Sequence, residues 1–345
     1  MNRPKLHFTP PKGWCNDPNG LVYDGNYYHL FYQYFPHSIE GGPKHWGHAR
    51  SADLYAWEDL PVALEPDAKG QIFSGSAVMA DGGKMALMYT YHADDGTESQ
   101  AVAFSADDEY ISFNKYDGNP VIPNPGLRDF RDPKIFMRDE AGWHMILAAG
   151  DRVMFYRSPD LLTWERDGEF GAPAYPVNGL WECPDLFPLK SADGAVKWAL
   201  VFSLGLDAAI GGGKTMYFIG DYEDGAFAPD SPLPLPVDNG PDFYAGVTFW
   251  GVPDNRRIMI AWMSNWAYTG RSPASLEWRG QMSLPRELSL IKTAEGYKLS
   301  SAPIVRPGHM EMFSAGDNKI ILVKDTCSVE IFAPGSGLSL TQTLF

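Results

Sequence analysis

Short apolar runs, in which hydrophobic and polar residues alternate or β-forming residues follow one another, recur along most of the chain. A period of two residues is typical of β-strands, whereas a period near 3.6 residues indicates helices. Helical periodicity longer than two turns is absent. The pattern therefore predicts an all-β fold, with strands that include 27–35, 85–91, 143–149, 198–204 and 257–262.

A repeated segment divides this series of strands. It consists of Ser, a small residue and Asp, with an aromatic residue a few positions later, and it begins at Ser51, Ser105 and Ser158. These starts are separated by 54 and 53 residues. A fixed period of this length is typical of repeat architectures such as solenoids and propellers.

A second spacing agrees with the first. Asp17, Gly75, Asp132, Glu182 and Asp242 lie 58, 57, 50 and 60 residues apart, and each precedes a strand-like run after a loop. If each period is one four-stranded blade, the innermost strands begin at these residues and converge on a central channel. This predicts a five-bladed β-propeller catalytic domain over residues 1–302.

Residues 303–345 form a short tail with three further strand-like runs, 319–324, 328–333 and 338–345. So few residues cannot bury a hydrophobic core of their own. The tail is therefore expected to pack against the propeller or against a second copy of the chain, which makes a homo-oligomer a possible assembly.

Composition narrows the classes of partner. With 345 residues and 44% hydrophobic residues, the chain can bury a large core, and its net charge of −15 argues against nucleic acids or anionic membranes as partners. Its three cysteines lack the spacing of a zinc site or a disulfide framework, so neither a metal nor a cofactor is predicted. The N-terminus carries no apolar signal segment, which predicts a cytoplasmic protein, although removal of a signal peptide would leave the same sequence.

Three carboxylates lie in segments rich in turn-forming residues. Asp17 is followed by Pro-Asn-Gly, Asp132 lies between Arg131 and Pro133, and Glu182 precedes Cys-Pro. Taken singly, these are a surface turn, a surface ion pair and a rim carboxylate. Together they favour a shared site, because cleavage of a glycosidic bond requires paired carboxyl groups.

These motifs, in this order, resemble those of glycoside hydrolase family 32, the β-fructofuranosidases that include invertases, levanases and exo-inulinases. The resemblance covers nearly all of residues 5–300. It is carried by segments 14–20 (WCNDPNG), 73–76 (FSGS), 130–133 (FRDP), 181–185 (WECPD), 242–245 (DFYA) and 284–288 (LPREL).

The resemblance implies a five-bladed propeller and hydrolysis of β-linked fructosyl units with retention of configuration. It implies Asp17 as the nucleophile, Asp132 as a transition-state stabiliser and Glu182 as the general acid/base. Donors around Asp17 are expected to keep it ionised, while burial near other anions is expected to raise the pKa of Glu182. The expected substrate-binding residues are Asn16, Gln33, Trp46, Phe73, Ser74, Arg131, Asp242, Tyr244 and Trp266.

The chain departs from the family pattern at three places. Cys15 replaces the usual Met, and Gly41 and Gly42 stand where many relatives have a Trp, so that one aromatic wall is either missing or supplied by Trp46. The tail resembles only the closing strands of the β-sandwich that usually follows the propeller. Trp266 is expected to stack on a sugar, as in fructan-degrading members, although Trp262, Trp266 and Trp278 are also suited to a hydrophobic core.

Three functions are consistent with these features. The first is exo-acting release of fructose from fructo-oligosaccharides, inulin- or levan-type fructans and sucrose. The second is fructosyl transfer, since a covalent intermediate can react with a sugar as well as with water. The third is a non-catalytic propeller that binds fructosides.

Overall fold

The chain is an all-β protein. A computed structural model describes residues 3–175, 177–205, 213–271, 277–306, 308–316 and 318–344. Within these ranges the helices are 3-10 turns of three residues, and none has the length or apolar character needed to cross a membrane.

Five antiparallel sheets follow one another along the chain. The first contains β1 (Gly13–Tyr23), β2 (Tyr28–Phe35), β3 (His45–Ser51) and β4 (Glu58–Leu64). The second contains β5 (Gln71–Met79), β6 (Met85–His92), β7 (Glu98–Ser105) and β8 (Phe113–Lys115). The third contains β9 (Phe130–Asp139), β10 (Gly142–Ala149), β11 (Arg152–Ser158) and β12 (Glu165–Gly171).

The fourth sheet contains β13 (Trp181–Lys190), β14 (Val196–Leu204), β15 (Lys214–Glu223) and β16 (Ala226–Pro229), with β17 (Leu235–Pro236) also paired to β15. The fifth contains β18 (Tyr244–Thr248), β19 (Arg257–Trp262), β21 (Arg286–Thr293) and β22 (Gly296–Pro303). The short β20 (Trp278–Arg279) leaves this order and pairs in parallel with β1. The five strands predicted from alternation are confirmed as β2, β6, β10, β14 and β19, with ends that differ by two residues at most.

The repeated Ser-Asp segment is the turn between the third and fourth strands of the first three sheets. Ser51, Ser105 and Ser158 each end a third strand. The Asp two residues later caps the turn, as where Asp160 Oδ1 accepts hydrogen bonds from the N–H groups of Leu162 and Thr163 at 2.9 and 2.8 Å. Short side chains that bond to nearby backbone favour this geometry, which explains why the sequence repeats here.

The first strands of the five sheets lie next to one another in a cycle. β1 contacts β5, β5 contacts β9, β9 contacts β13, β13 contacts β18, and β18 contacts β1. A narrow cavity of about 10 Å³ is lined by residues from all five of these strands. That volume holds about one water molecule, so side chains nearly fill the centre of the cycle of first strands, which is called the axis below.

The hydrophobic core lies between the faces of neighbouring sheets. Val22, Phe31 and Trp46 of the first sheet pack with Ile72 and Tyr89 of the second, and all five are almost completely buried. The third and fourth sheets meet in the same way through another cluster of buried aromatic and aliphatic side chains. Packing between sheets thus fixes the positions of the five first strands.

The tail forms a separate four-stranded antiparallel sheet of β23 (Glu311–Ala315), β24 (Asn318–Asp325), β25 (Ser328–Ala333) and β26 (Leu338–Thr343). Three of these strands match the predicted runs, while β23 was not predicted. The last predicted run ends at Phe345, which lies outside the described residues.

Buried polar groups join this tail sheet to the rest of the chain. The fully buried Arg286 of β21 donates to Asp238 at 2.7 Å and to Glu330 of β25 at 2.5 Å. The other carboxylate oxygen of Glu330 lies 2.8 Å from His7 Nε2, and His7 Nδ1 lies 2.8 Å from Asp325. The tail sheet therefore packs against the fifth sheet and the N-terminal segment of its own chain, and a homo-oligomer stays a prediction.

Candidate active site

Each first strand is irregular at its motif. Regular pairing is interrupted between Cys15 and Pro18 in β1, Phe73 and Gly75 in β5, and Arg131 and Lys134 in β9. The same happens between Glu182 and Asp185 in β13 and between Tyr244 and Val247 in β18. A bulge twists a strand and redirects its side chains, which explains why turn-forming residues occur inside these strands.

Backbone conformation contributes to the same effect. Asp132, Cys183 and Ala245, which lie within these irregular segments, have φ angles of 63°, 47° and 54°. Left-handed backbone is uncommon for residues other than glycine, and it clusters at functional sites. Asp132 and Glu182 lie within two residues of the beginnings of their strands, close to the prediction. Asp17 and Gly75 lie four residues inside β1 and β5, and Asp242 lies two residues before β18.

Asp17 is held on one side of its carboxylate. The hydroxyl of Ser74 donates to its Oδ2 at 3.0 Å, and the thiol of Cys183 lies 3.8 Å from the same oxygen. Oδ1 is buried and has no hydrogen-bond partner within the described ranges. Burial and the nearby Glu182 raise the pKa of Asp17, although Asn16, Ser74 and Lys44 counteract them. The donors expected around Asp17 are thus present, but they do not lower its pKa below the ordinary value.

Asp132 is buried beside the other two acids. Its Oδ2 accepts a hydrogen bond from the N–H of Cys183 at 2.8 Å, and its own N–H donates to Thr90 at 3.0 Å. Burial raises the pKa of Asp132 to about 7, with Glu182 and Asp17 adding to the rise, while Arg131 and the Cys183 N–H lower it. Carboxylates that share a site cannot all ionise easily, so this cluster retains a proton near neutral pH.

Glu182 receives a hydrogen bond on each carboxylate oxygen. Arg131 donates to Oε1 at 3.1 Å, and the hydroxyl of Tyr244 donates to Oε2. The side chain of Glu182 remains 22% exposed, more than the almost fully buried Asp132. Arg131 and Tyr244 therefore fix the orientation of a carboxyl group that is accessible from solvent.

Arg131 connects three acidic side chains. Besides Glu182, it donates to Glu98 at 3.1 and 3.2 Å and to Asp129 at 2.9 Å. Burial alone would lower its pKa, but these carboxylates and Asp132 outweigh burial and raise it. The guanidinium thus stays charged between the acids, which excludes the alternative of a surface ion pair.

The predicted residues Asn16, Gln33 and Phe73 each make a defined contact within the first two sheets. The Oδ1 atom of Asn16 accepts from Trp14 at 2.8 Å and from Lys44 Nζ at 3.1 Å. Gln33 donates to the carbonyl of Ile72 at 3.0 Å. The ring of Phe73 stacks on His92, with centroids 4.3 Å apart.

Trp46 occupies a different place from the one expected. Its side chain is fully buried in the core between the first two sheets. The indole N–H donates to the carbonyl of Phe73 at 3.0 Å. Trp46 therefore contacts the segment before Ser74 from the core side, and its ring does not form an exposed aromatic wall.

Two predicted aromatic residues lie near Glu182. Tyr244 is almost fully buried and donates to Glu182, so it positions the acid. Trp266 is only partly buried. The centre of its ring lies 4.6 Å from that of Trp262, and its ring plane is at 83° to that of Tyr244. Trp262 and Trp278 are fully buried and belong to the core. Of the three tryptophans, Trp266 is the one with an exposed ring surface suited to stacking.

Asp242 does not join this cluster. Its Oδ1 accepts from the hydroxyl of Tyr268, and its Oδ2 accepts from the N–H and hydroxyl of Thr343 in β26 at 2.7 and 2.8 Å. The residue is 1% exposed. The expectation that Asp242 lines the sugar pocket is therefore corrected, since its carboxylate links the fifth sheet to the tail sheet.

Sequence reasoning missed several residues of the site. Lys44 bonds to Asn16 beside Asp17, Glu98 holds Arg131, and the Cys183 N–H holds Asp132. None of these three residues is one of the motif acids, although Cys183 directly follows Glu182. Among the described residues, no group of three or more His, Cys, Asp or Glu side chains is placed to hold a metal ion.

Comparison with known proteins gives the same assignment as the motifs. The model of the glycosyl hydrolases family 32 N-terminal domain matches residues 7–303. A levanase of Bacillus subtilis is 46% identical over 88% of this chain and 47% of its own length. An extracellular exo-inulinase of Aspergillus niger is 37% identical over 84% of this chain and 62% of its own length. The chain thus spans roughly half the length of such relatives.

Comparison with solved structures agrees with the comparison of sequences. An exo-inulinase from Aspergillus awamori superimposes with a TM-score of 0.87 at 28% identity, over 99% of this chain and 93% of that chain. A β-fructofuranosidase from Schwanniomyces occidentalis, complexed with fructosyl-erythritol, gives a TM-score of 0.86 at 25% identity, over 100% of this chain and 91% of that chain. From the extent of the family match and the identity to these relatives, we conclude that the chain belongs to glycosyl hydrolase family 32.

Proposed function

We propose that this protein is a retaining, exo-acting β-fructofuranosidase that releases fructose from fructo-oligosaccharides, inulin- or levan-type fructans and sucrose. The observation that carries the proposal is the convergence of Asp17, Asp132 and Glu182. Cys183 contacts both aspartates, through its thiol and its N–H, and Arg131, which precedes Asp132 in β9, donates to Glu182. Levanase, invertase and exo-inulinase are the activities named for relatives of the chain, which supports the same class of substrate.

The fold proposed for this function is a closed five-bladed propeller. The cyclic contacts among β1, β5, β9, β13 and β18 support it. Because the cavity on the axis holds about one water molecule, a sugar chain cannot pass through the ring. A sugar chain that cannot pass through the ring reaches the acids with its terminal unit, which favours release of single fructose units.

The chemistry is a double displacement. The Oδ1 atom of Asp17, which has no hydrogen-bond partner among the described residues, attacks the anomeric carbon, while Glu182 donates a proton to the leaving oxygen. A covalent fructosyl–Asp17 ester forms, and the bond to the leaving sugar breaks. Glu182 then removes a proton from water, which attacks the same carbon and releases fructose with retained configuration. Asp132 stabilises positive charge on the ring as each transition state forms.

The test combines products and variants. Sucrose, inulin and levan are incubated side by side with the wild-type protein and with Asp17→Ala, and the sugars released are identified by chromatography. Fructose from the wild-type protein and none from the variant are expected. Fructose release by Asp17→Ala would refute the assignment, and fructosyl-sucrose products at high sucrose would indicate transfer instead of hydrolysis. Separately, a distance near 9 Å between the closest carboxyl oxygens of Asp17 and Glu182 would point to inversion.

A further inference from the structure

The side chain of Lys44 lies at the site without a role in the mechanism above. Its Nζ donates to Asn16 Oδ1 at 3.1 Å and lies 5.3 Å from the centre of the Trp14 ring. The side chain is partly buried. An ammonium group has three donors, and a lysine is rarely buried without a partner of opposite charge.

The backbone of Lys44 is anchored between the first two sheets. Its N–H donates to Gln71 Oε1 at 3.1 Å, and its carbonyl accepts from the N–H of Ile72 at 2.9 Å. Ile72 lies in β5, two residues before Ser74, which itself bonds to Asp17. The ammonium is therefore held on the same framework as the groups that position Asp17.

Gly41 lies next to this ammonium. A side chain at Gly41 would begin 3.7 Å from the Trp14 ring and 3.9 Å from Lys44 Nζ, and Gly41 has a φ of 82° that other residues adopt only with strain. A larger side chain at Gly41 would therefore contact both Trp14 and Lys44.

The charge of Lys44 acts on Asp17. Burial lowers the pKa of Lys44, while the carboxylate of Asp17 and the thiol of Cys15 raise it. In return, Lys44 is the cation among the groups that lower the pKa of Asp17. The other titratable groups that act on Asp17 are Glu182, Asp132, Cys183, Tyr244 and Cys15.

We propose that Lys44 is a substrate-contacting residue whose ammonium donates hydrogen bonds to hydroxyl groups of the bound fructosyl unit and helps keep Asp17 ionised for attack. Asn16 Oδ1 is the one acceptor oxygen that Lys44 Nζ contacts within the described ranges, which leaves donor capacity for a sugar. Asp17 follows Asn16 in β1, and its Oδ1, the atom that attacks, has no hydrogen-bond partner in the same ranges. This inference rests on the proposed function and adds a residue to the site.

The test uses Lys44→Met, which keeps an unbranched side chain and removes the charge, and Lys44→Arg, which keeps the charge. Lys292→Met is a matched control, because Lys292 is exposed on β21 and pairs with Asp193. Kinetic constants for sucrose and a short inulin-type oligosaccharide are measured from pH 4 to 8, with thermal melts to confirm folding.

Two changes are expected in Lys44→Met. Loss of a charged donor raises KM roughly tenfold. The acid limb of kcat/KM moves to higher pH by about half a unit to one unit, because an opposite charge near a carboxylate lowers its pKa, and here the effect is moderated by solvent. Lys44→Arg restores the acid limb, and Lys292→Met changes neither quantity.

The outcomes separate this inference from the proposed function. If the wild-type protein releases fructose and Lys44→Met keeps both its KM and its acid limb, Lys44 only supports Asn16, and the inference is overturned while the function stands. If the wild-type protein releases no fructose, the proposed function fails. Calorimetry with fructose then tests the binding role directly, and equal affinities of the wild-type protein and Lys44→Met would overturn it.

Discussion

Replacement of His7 by Gln should make the stability of the protein less dependent on pH. His7 is buried between Asp325 and Glu330, at 2.8 Å from each. Burial alone would lower its pKa, but the hydrogen bonds and charges of these two carboxylates raise it to about 9, from an ordinary value of 6.5. A protonated histidine therefore holds the tail sheet to the N-terminal segment.

The sign and the size of the contribution of His7 to stability at each pH follow from proton linkage. Because the folded-state pKa is higher than that of the unfolded chain, the stabilisation is fully present below about pH 6.5 and is lost as the pH rises through about 9. A difference of 2.5 pKa units corresponds to about 3 kcal/mol, since one unit is worth about 1.36 kcal/mol. The pKa of Glu330 is lowered to about 2 by Arg286 first and by His7 second, so it contains part of the same contact and the two values are not added.

The measurement is the free energy of unfolding in urea at pH 6 and pH 9 for wild-type protein, His7→Gln and His309→Gln. The exposed His309 serves as the control for loss of a histidine. The advantage of wild-type protein over His7→Gln should shrink by about 3 kcal/mol between the two pH values, whereas His309→Gln should follow the wild-type protein. An advantage that is equal at both pH values would refute a charged His7.

The other predictions concern the acids and the tail. Glu182→Gln should lose activity on sucrose far more than on an aryl fructoside with a good leaving group, because only the poor leaving group needs a proton; equal losses in steady-state assays would contradict the acid role. Tyr244→Phe should lower kcat/KM by roughly 10- to 100-fold, since Glu182 loses one of its two donors, and an unchanged value would show that Arg131 alone orients it. Glu330→Ala should destabilise the protein by about 3–5 kcal/mol in urea unfolding, because Arg286 and His7 are left buried without this partner. A loss under about 1 kcal/mol would indicate that Asp238 and Asp325 alone are enough to pair with Arg286 and His7.

The sequence predicted the strands well because their signals are local. Alternating apolar residues located β2 and β19 within one residue of each end, and the Ser-Asp repeat reported a turn that recurs in three sheets. The three acids were also found from sequence, since each lies in a distorted strand segment that needs turn-forming neighbours. Such signals depend on a few adjacent residues.

Contacts between distant segments were not predictable in this way. Lys44, in the loop between β2 and β3, donates to Asn16 of β1, and no motif marks it. The motif around Asp242 suggested a sugar-binding residue, but Thr343, 101 residues later, occupies its carboxylate. Trp46 was assigned to the pocket wall because its neighbours resemble the family, whereas its burial is decided by Phe31 and Tyr89. The composition of a short segment does not determine which distant residue it will contact.

The pairing of β1 with β20 has a consequence for how the protein folds. Gly13 of β1 pairs with Trp278 of β20, which lies 265 residues later in the chain. At the usual rate of synthesis of about 5–20 residues per second, roughly 13–50 s pass before β20 can cover that edge. During that time the apolar strand that carries Asp17 presents unpaired backbone groups, which makes it a site for association with other nascent chains. The residue at the centre of the proposed chemistry thus lies on the strand whose sheet is completed late, and contacts this remote in sequence make folding slow.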